Sequence, residues 1–229
     1  MPSSAVSRLS ANSQLIDLSH AVEHGMITYK GLPAPIICDY LSREASRARY
    51  APGTEFQIGK IEMVANTGTY LDSPFHRYPE GDDLSQLKLE TLADLDCVVV
   101  RVTHRRDRAI DRLPIDLATL RGKALLVHTG WDVHWRTDQY FESHPNLTGE
   151  LANSLVDAGV TLVGIDSFNI DSTDDGTRPV HSALLGAGIP IVEHMCGLDA
   201  IPDSGARFFA VPVKVKGMGT FPVRAFAKL

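Results

Sequence analysis

Strand-like runs outnumber helical ones in this 229-residue chain, and the helical segments fall between strands. That pattern predicts a strand-rich mixed α/β domain, without the regular alternation that marks a doubly wound sheet. Two compositional observations bound it. Hydrophobic residues make up 44% of the chain and charged residues 22%, the balance of a globular protein with one substantial core. No repeat, low-complexity tract or Pro/Gly/Ser-rich linker divides the sequence. Behind a flexible polar tail at 1–13, residues 14–229 have room for one large domain or two small ones.

Residues 14–18 read as a first strand. Residues 29–35 contain Gly31, Pro33 and Pro35 and cannot continue a central strand, because proline has no N–H to donate. Along 56–65, Phe56, Ile58, Ile61 and Met63 are apolar, and the phase slips near Lys60 as at a bulge. The short aliphatic runs at 97–102, 124–128 and 160–165 are of buried-strand type.

The clearest helix spans 148–158. Thr148 caps it, Glu150 sits in the first turn where the dipole favours an anion, and Gly159 can take the left-handed position beyond its end. Leu151, Leu155 and Val156 form its apolar stripe. A shorter helical turn at 181–185 precedes a strand at 189–192, and alternating strands at 207–215 and 223–227 close the chain.

Lys and Arg total 22 against 28 Asp and Glu, a formal charge of −6, so no basic excess points to nucleic acid. The charged run at 104–108 mixes signs and reads as a solvated turn. No run approaches the roughly 20 apolar residues of a membrane span, and the polar start lacks a signal-peptide pattern. The cytoplasm is the expected location. Cys38, Cys97 and Cys196 are too few and too scattered for a disulfide framework or a metal-binding pair. GxSxG, HExxH, P-loop and strand-following GxGxxG motifs are all missing, which removes most of the weight from serine hydrolases, zincins, NTPases and nicotinamide oxidoreductases.

What remains is the dense segment 66–76, Asn-Thr-Gly-Thr-Tyr-Leu-Asp-Ser-Pro-Phe-His. Read as a loop leaving a strand, it can point Asp72 and His76 into one cleft, with Pro74 fixing the backbone between them. The plainer alternative is a structural loop in which Asp72 caps backbone N–H groups.

This segment resembles the H-x-G-T-H-x-D-x-P-x-H signature of the cyclase or kynurenine-formamidase-like family. Further blocks resemble that family along the chain: I-D-L-S-H at 16–20, T-G-W-D at 129–132, Y-F-x-x-H-P at 140–145 and G-I-D-S at 164–167. H-x-x-L-L at 181–185 with I-V-E at 191–193, and P-V-R at 222–224, complete the likeness. The resemblance runs through nearly the whole chain and implies that 14–229 form a single domain of swivelling β/β/α fold, and a homo-oligomer, a homodimer or homotetramer. It implies a divalent-metal hydrolase, using zinc or manganese, that cleaves an amide, lactam or lactone of a small aryl or carboxylated substrate. In the family, the two early histidines and the signature aspartate bind one metal. The aspartate also bridges to an ion held by the later His and Glu, and the last signature His is the proton shuttle.

Carried over by position, the shuttle is His76 and the retained metal candidates are Asp72, His181 and Glu193. The two early histidines, however, are Asn66 and Tyr70 here. An amide oxygen and a neutral phenol are weak zinc ligands. Two arrangements stay open: one divalent metal on Asp72, His181 and Glu193, or a metal-free hydrogen-bond network. In the second, Tyr70, Asp72, His76 and Glu193 perform acid/base chemistry such as ring closure, dehydration or isomerisation. A non-catalytic binding homologue is the weakest reading. Asn66, Trp131 and Phe221 are candidate substrate contacts, although Trp131 and Trp135 suit packing equally well. His20 and His24 read as surface histidines, and Asp171, Asp174 and Asp175 as part of a loop over the site.

Overall fold

The computed structural model describes residues 14–103 and 107–229. The tail at 1–13 and the first half of the charged turn, 104–106, lie outside the described residues. Strand β1 (Leu15–Asp17) opens the chain. A separate two-stranded ribbon follows, made of β2 (Ile36–Leu41) and β3 (Ile58–Glu62), with the one-turn helix α1 (Arg43–Ser46) between them. Next come β4 (Tyr70–Asp72), β5 (Leu95–Arg101), β6 (Ala109–Ile110), β7 (Ala124–His128) and β8 (Asn146–Leu147). Helix α2 (Gly149–Ala158), β9 (Leu162–Ile165), α3 (Pro179–Gly186) and β10 (Ile191–Glu193) continue the chain. Strands β11 (Ser204–Phe209), β12 (Thr220–Pro222) and β13 (Phe226–Lys228) end it.

Nine strands form one sheet in the order β1-β13-β11-β5-β7-β9-β10-β4-β12. Its centre, β5-β7-β9-β10, is parallel, and everything outside that block pairs antiparallel. The architecture is strand-rich mixed α/β, as the sequence predicts. The parallel block comes from three crossovers, β7 to β9 through α2, β9 to β10 through α3, and β5 to β7 through the segment that holds β6 and a short 3-10 turn at Leu117–Leu120, which sequence periodicity left unresolved.

Alternation along the central strands divides the core between the two faces. Cys97, Val99, Ala124, Leu126 and Leu162 belong to one cluster, with Leu18, Leu71 and Phe208. Leu125, Val127, Val163, Ile165 and Ile191 point the other way, under Leu151, Leu155 and Leu184 of the helices. Burying a Leu or Ile side chain at such positions contributes about 1.5–3 kcal/mol.

Helix α2 forms as its local sequence dictates. The Thr148 hydroxyl accepts from Leu151 N at 3.2 Å, and Gly159 closes the helix at φ 77°. Leu151 and Leu155 are buried, with Ala152 completing the stripe, while Val156 is only half-buried.

Several boundaries differ from the sequence reading. The strand expected across 56–65 is only Ile58–Glu62, and the irregularity lies opposite it, between Asp39 and Leu41, rather than at Lys60. The strand at 207–215 stops at Phe209, three residues before Pro212, and of 223–227 only Phe226 and Ala227 are strand, in β13. Both ribbon strands expose apolar side chains, among them Ile36, Ile37, Tyr40, Ile58 and Ile61. No helix among the described residues is long and apolar enough to cross a membrane.

Candidate active site

The segment 66–76 is not wholly a loop. Its centre is β4, hydrogen-bonded on one side to β10 and on the other to β12. Register sets the site. Tyr70 lies opposite Glu193, and Asp72 lies opposite Thr220, so these four side chains share one face of the sheet. Leu71, Val192 and Phe221 face the opposite side, in or against the core. The site therefore sits where the parallel block meets its first antiparallel neighbour, beyond the carboxyl ends of β9 and β10.

The loop after β9 supplies the rest. Asp171, in this loop, is fully buried, and its carboxylate reaches the first turn of α3. Its carboxylate accepts from Val180 N at 2.7 Å, from His181 N at 2.9 Å, and pairs with His181 Nδ1 at 2.6 Å. His144 of the Y-F-x-x-H-P block lies with Nε2 3.0 Å from the Asp171 carbonyl oxygen and steadies this loop. With Nδ1 engaged by Asp171, His181 presents Nε2 inward, 3.6 Å from Asp72 Oδ2 and 3.7 Å from Glu193 Oε1. Asp72 Oδ2 is buried with no hydrogen-bond partner among the described residues.

Glu193 is held on both oxygens. Ile170 N donates to Oε1 at 2.6 Å, and Tyr70 OH and Asn169 Nδ2 donate to Oε2 at 2.6 and 3.5 Å. Burial, reinforced by the charges of Glu193 and Asp72, keeps the Tyr70 phenol well above the ordinary tyrosine range. It remains a proton donor. Burial also raises Glu193, against the opposing attraction of His181. For Asp72, burial works in the same sense but is outweighed by the nearby His181 and His76 rings and by the Thr220 hydroxyl, which leave it lowered. His181 is carried up to about 10: burial disfavours its cation, and Glu193, Asp171 and Asp72 overcome that.

His76 stands at the rim on the turn after β4, with 37% of its side chain exposed. Between it and Asp72 lies Thr220, whose hydroxyl donates to Asp72 Oδ1 at 2.5 Å and is 2.9 Å from His76 Nδ1. A threonine hydroxyl has a single hydrogen, and the carboxylate takes it. The remaining contact then assigns the proton to His76 Nδ1 and leaves Nε2 as the free base. We expect Thr220→Val to lower kcat/KM about 10- to 100-fold, because a hydrogen bond to a charged group contributes about 1.5–3 kcal/mol. Thr220→Ser should restore most of the loss. A valine variant with wild-type rates would overturn this tautomer assignment.

These groups line a cavity of about 270 Å³ whose wall also includes Tyr29, Leu32, Asn66, Arg77, Asn169 and Arg178. Of the residues singled out from sequence, Asn66, Tyr70, His76, His181 and Glu193 reach this wall, and Asp72 lies directly behind it. Trp131 and Phe221 do not. Trp131 donates Nε1 to the Tyr140 carbonyl at 3.0 Å, and Phe221 packs against the core. His20 is not a surface group either: it stacks on Trp135 at 3.9 Å. Asp174 pairs with Arg108, and Asp175 holds its own turn through Thr177. Sequence reasoning missed Tyr29, Asn169 and Arg178, and it gave Asp171 only a place in a loop.

The donor set suits one divalent ion. Asp72, His76 and His181 each offer a ligand atom within 4.8 Å of the others. The unpartnered Asp72 oxygen and a histidine oriented by a carboxylate on its other nitrogen are the usual supports of such a site. Glu193 lies beside this group, while Asn66 and Tyr70 add no strong ligand to it.

The model of the putative cyclase family matches residues 16–172. The chain belongs to that family. Kynurenine formamidase of Bacillus cereus is 27% identical over 214 residues, covering 93% of this chain and 96% of its own. The kynurenine formamidase of Bacillus cytotoxicus is 28% identical over 217 residues, 94% and 98% of the two chains. Among solved structures, an isatin hydrolase bound to the product analogue thioisatinate superposes with a TM-score of 0.77 at 19% identity, over 96% and 94% of the chains. A potential metal-dependent hydrolase with cyclase activity gives 0.76 at 22% identity, over 95% and 98%. The family blocks also meet in space. Asp166, from G-I-D-S, accepts from Thr129 N at 2.7 Å and Gly130 N at 2.8 Å of T-G-W-D, locking the turn after β7.

Proposed function

We propose that this cyclase-family protein is a hydrolase that cleaves the amide bond of a small substrate, of the formanilide, lactam or related lactone kind. The observation that carries the reading is the line Asp171–His181–Asp72, which aims an anchored imidazole at an unpartnered buried carboxylate oxygen on the cavity wall. The kynurenine formamidase relatives support amide cleavage as the chemistry.

Asp72 Oδ2 and His181 Nε2 would hold a zinc or manganese ion, with Glu193 beside them as a further ligand. Bound there, the ion would act as a Lewis acid and lower the pKa of a coordinated water. The chain's own groups do the remaining work. His76 Nε2, at the rim, would take a proton from the attacking water and pass it to the leaving amine. Tyr70, held protonated, donates its one hydrogen to Glu193 and keeps that carboxylate in place. Leu32 and the aromatic ring of Tyr29 supply apolar surface to the cavity wall.

The Tyr70–Glu193 contact favours a second reading, acid/base catalysis without a metal. One experiment separates the two. Purified protein is assayed for metal content and against formanilides, lactams and lactones, before and after chelation. Stoichiometric metal with chelator-sensitive amide cleavage, lost at least a thousandfold in Asp72→Asn, is expected. Cleavage that persists in chelated protein supports the metal-free reading. No turnover of any of these substrates would sink the hydrolase proposal.

For assembly we propose a homo-oligomer, a dimer or tetramer, because the β2–β3 ribbon exposes apolar side chains on a two-stranded sheet that is marginal alone. Light scattering should give a multiple of 25.0 kDa, and Ile37→Lys with Ile61→Lys should return it to the monomer mass. A wild-type monomer would refute this.

A further inference from the structure

Arg178 has an environment unlike that of the other arginines. Among the described residues it is the only arginine that is not exposed and yet has no carboxylate within 4 Å. It lines the cavity, and Arg77 lines it too. A half-buried cation without a partner is unfavourable unless something answers its charge.

The side chain is also held in place. Its Nη1 donates to Asn169 Oδ1 at 3.4 Å and to the Ser172 carbonyl at 3.2 Å. Asn169 in turn donates to Glu193 Oε2 and to the Tyr29 hydroxyl. One amide side chain thus links the guanidinium to the acidic floor of the site. The Arg178 backbone is left-handed, with φ 51° and ψ 59°, a conformation that disfavours side chains other than those of glycine, asparagine and aspartate. Strain of this kind at a cavity wall points to function. Arg77, exposed at the rim, donates Nε to Ser182 Oγ at 3.3 Å and likewise has no acidic partner within 4 Å.

We propose that Arg178, aided by Arg77, forms a subsite for a carboxylate on the substrate. The planar fork of Arg178 is the donor geometry that a carboxylate accepts in bidentate fashion. The floor holds Asp72, Glu193 and Asp171 around His181, and the arginines lie on the cavity wall. That separation of sign orients an anionic amide with its carboxylate on the arginines and its amide over Asp72 and His181.

The inference rests on the hydrolase reading for its substrate, so its test has one arm that involves no turnover. Formanilide and N-formylanthranilate differ only by a carboxylate. Wild-type enzyme should prefer the second, and Arg178→Gln should lower the ratio of their kcat/KM values about 10- to 100-fold, chiefly through KM. Arg178→Lys, which keeps the charge without the fork, should fall between them. Arg121→Gln, which removes the same charge elsewhere, should leave the ratio unaltered. In parallel, calorimetric binding of benzoate should weaken at least tenfold in Arg178→Gln, with the thermal midpoint of each variant confirming that it is folded. An unchanged ratio together with unchanged benzoate binding would overturn the subsite. If benzoate binding depends on Arg178 while neither formanilide is cleaved, the subsite stands and the hydrolase reading falls.

Discussion

Replacing Asp171 by asparagine should lower the unfolding free energy of the metal-free protein by roughly 3–5 kcal/mol, the usual cost of removing one partner from a buried ion pair. The loss has two sources. Asparagine places an NH₂ where the carboxylate now accepts from the Val180 and His181 amides. It also leaves the His181 ring without its partner at 2.6 Å. The pH dependence gives a second readout. His181 rises from an ordinary 6.5 to about 10 on folding, despite the opposing effect of burial, because Glu193, Asp171 and Asp72 surround it. A group raised on folding contributes stability that is fully present below its unfolded pKa and is lost as pH rises through the folded value. Chelated wild type should therefore lose stability between about pH 6.5 and 10, and Asp171→Asn should flatten that slope. Denaturant midpoints at fixed m, measured across this range, decide it. A variant within 1 kcal/mol of wild type would contradict the role given to Asp171.

Gly219→Ala should cut kcat/KM about a hundredfold or more. A Cβ on Gly219 would stand 2.4 Å from His76 N, 2.5 Å from His76 Cα and 2.9 Å from Phe75 C. All three are backbone atoms, so no side-chain rotation relieves the overlap. Either the turn carrying His76 moves outward or β12 does, and β12 carries Thr220. The hydrogen-bonded line Asp72–Thr220–His76 is broken in both cases. Misplacement near 1 Å is sufficient for a loss of that size, and overpacking adds about 1–3 kcal/mol of instability. Gly59→Ala is a fair comparison, since its Cβ would meet only Gln57 Nε2 at an ordinary 3.7 Å. Near-normal activity in Gly219→Ala would show that His76 is not held as described.

Local chemistry explains what could be read from the chain. Helix α2 carries its own start and stop in Thr148 and Gly159, so sequence placed it within a residue. The run at 124–128 is apolar on both faces, as a central parallel strand must be, and its bounds matched. Strand β4 was hidden because three residues between Gly68 and Pro74 are too few to show a period, and its outward residues are polar for chemical reasons. Asp171 was hidden by its company. It precedes Asp174 and Asp175, which are solvated, and only the fold shows that it alone turns inward. Arg178 has no local signal at all, since its importance comes from lacking an acid in three dimensions. Trp131 and Phe221 were misplaced for the converse reason: large aromatic residues near signature motifs are as readily used for packing.

Strand β4 has a consequence for how this protein could change while remaining folded. Its odd and even positions serve separate masters: Leu71 is committed to the core, whereas Tyr70 and Asp72 face the site, where Tyr70 meets Glu193 and the His194 ring and Asp72 meets Thr220. A side chain at position 70 can be exchanged without reshaping the hydrophobic layer beneath it. Asn66 and Tyr70, the two departures from the family signature, both line the cavity. The scaffold could therefore accept new chemistry at these places for little loss of foldability, whereas insertion of one residue into β4 would invert the strand and put Asp72 into the oil.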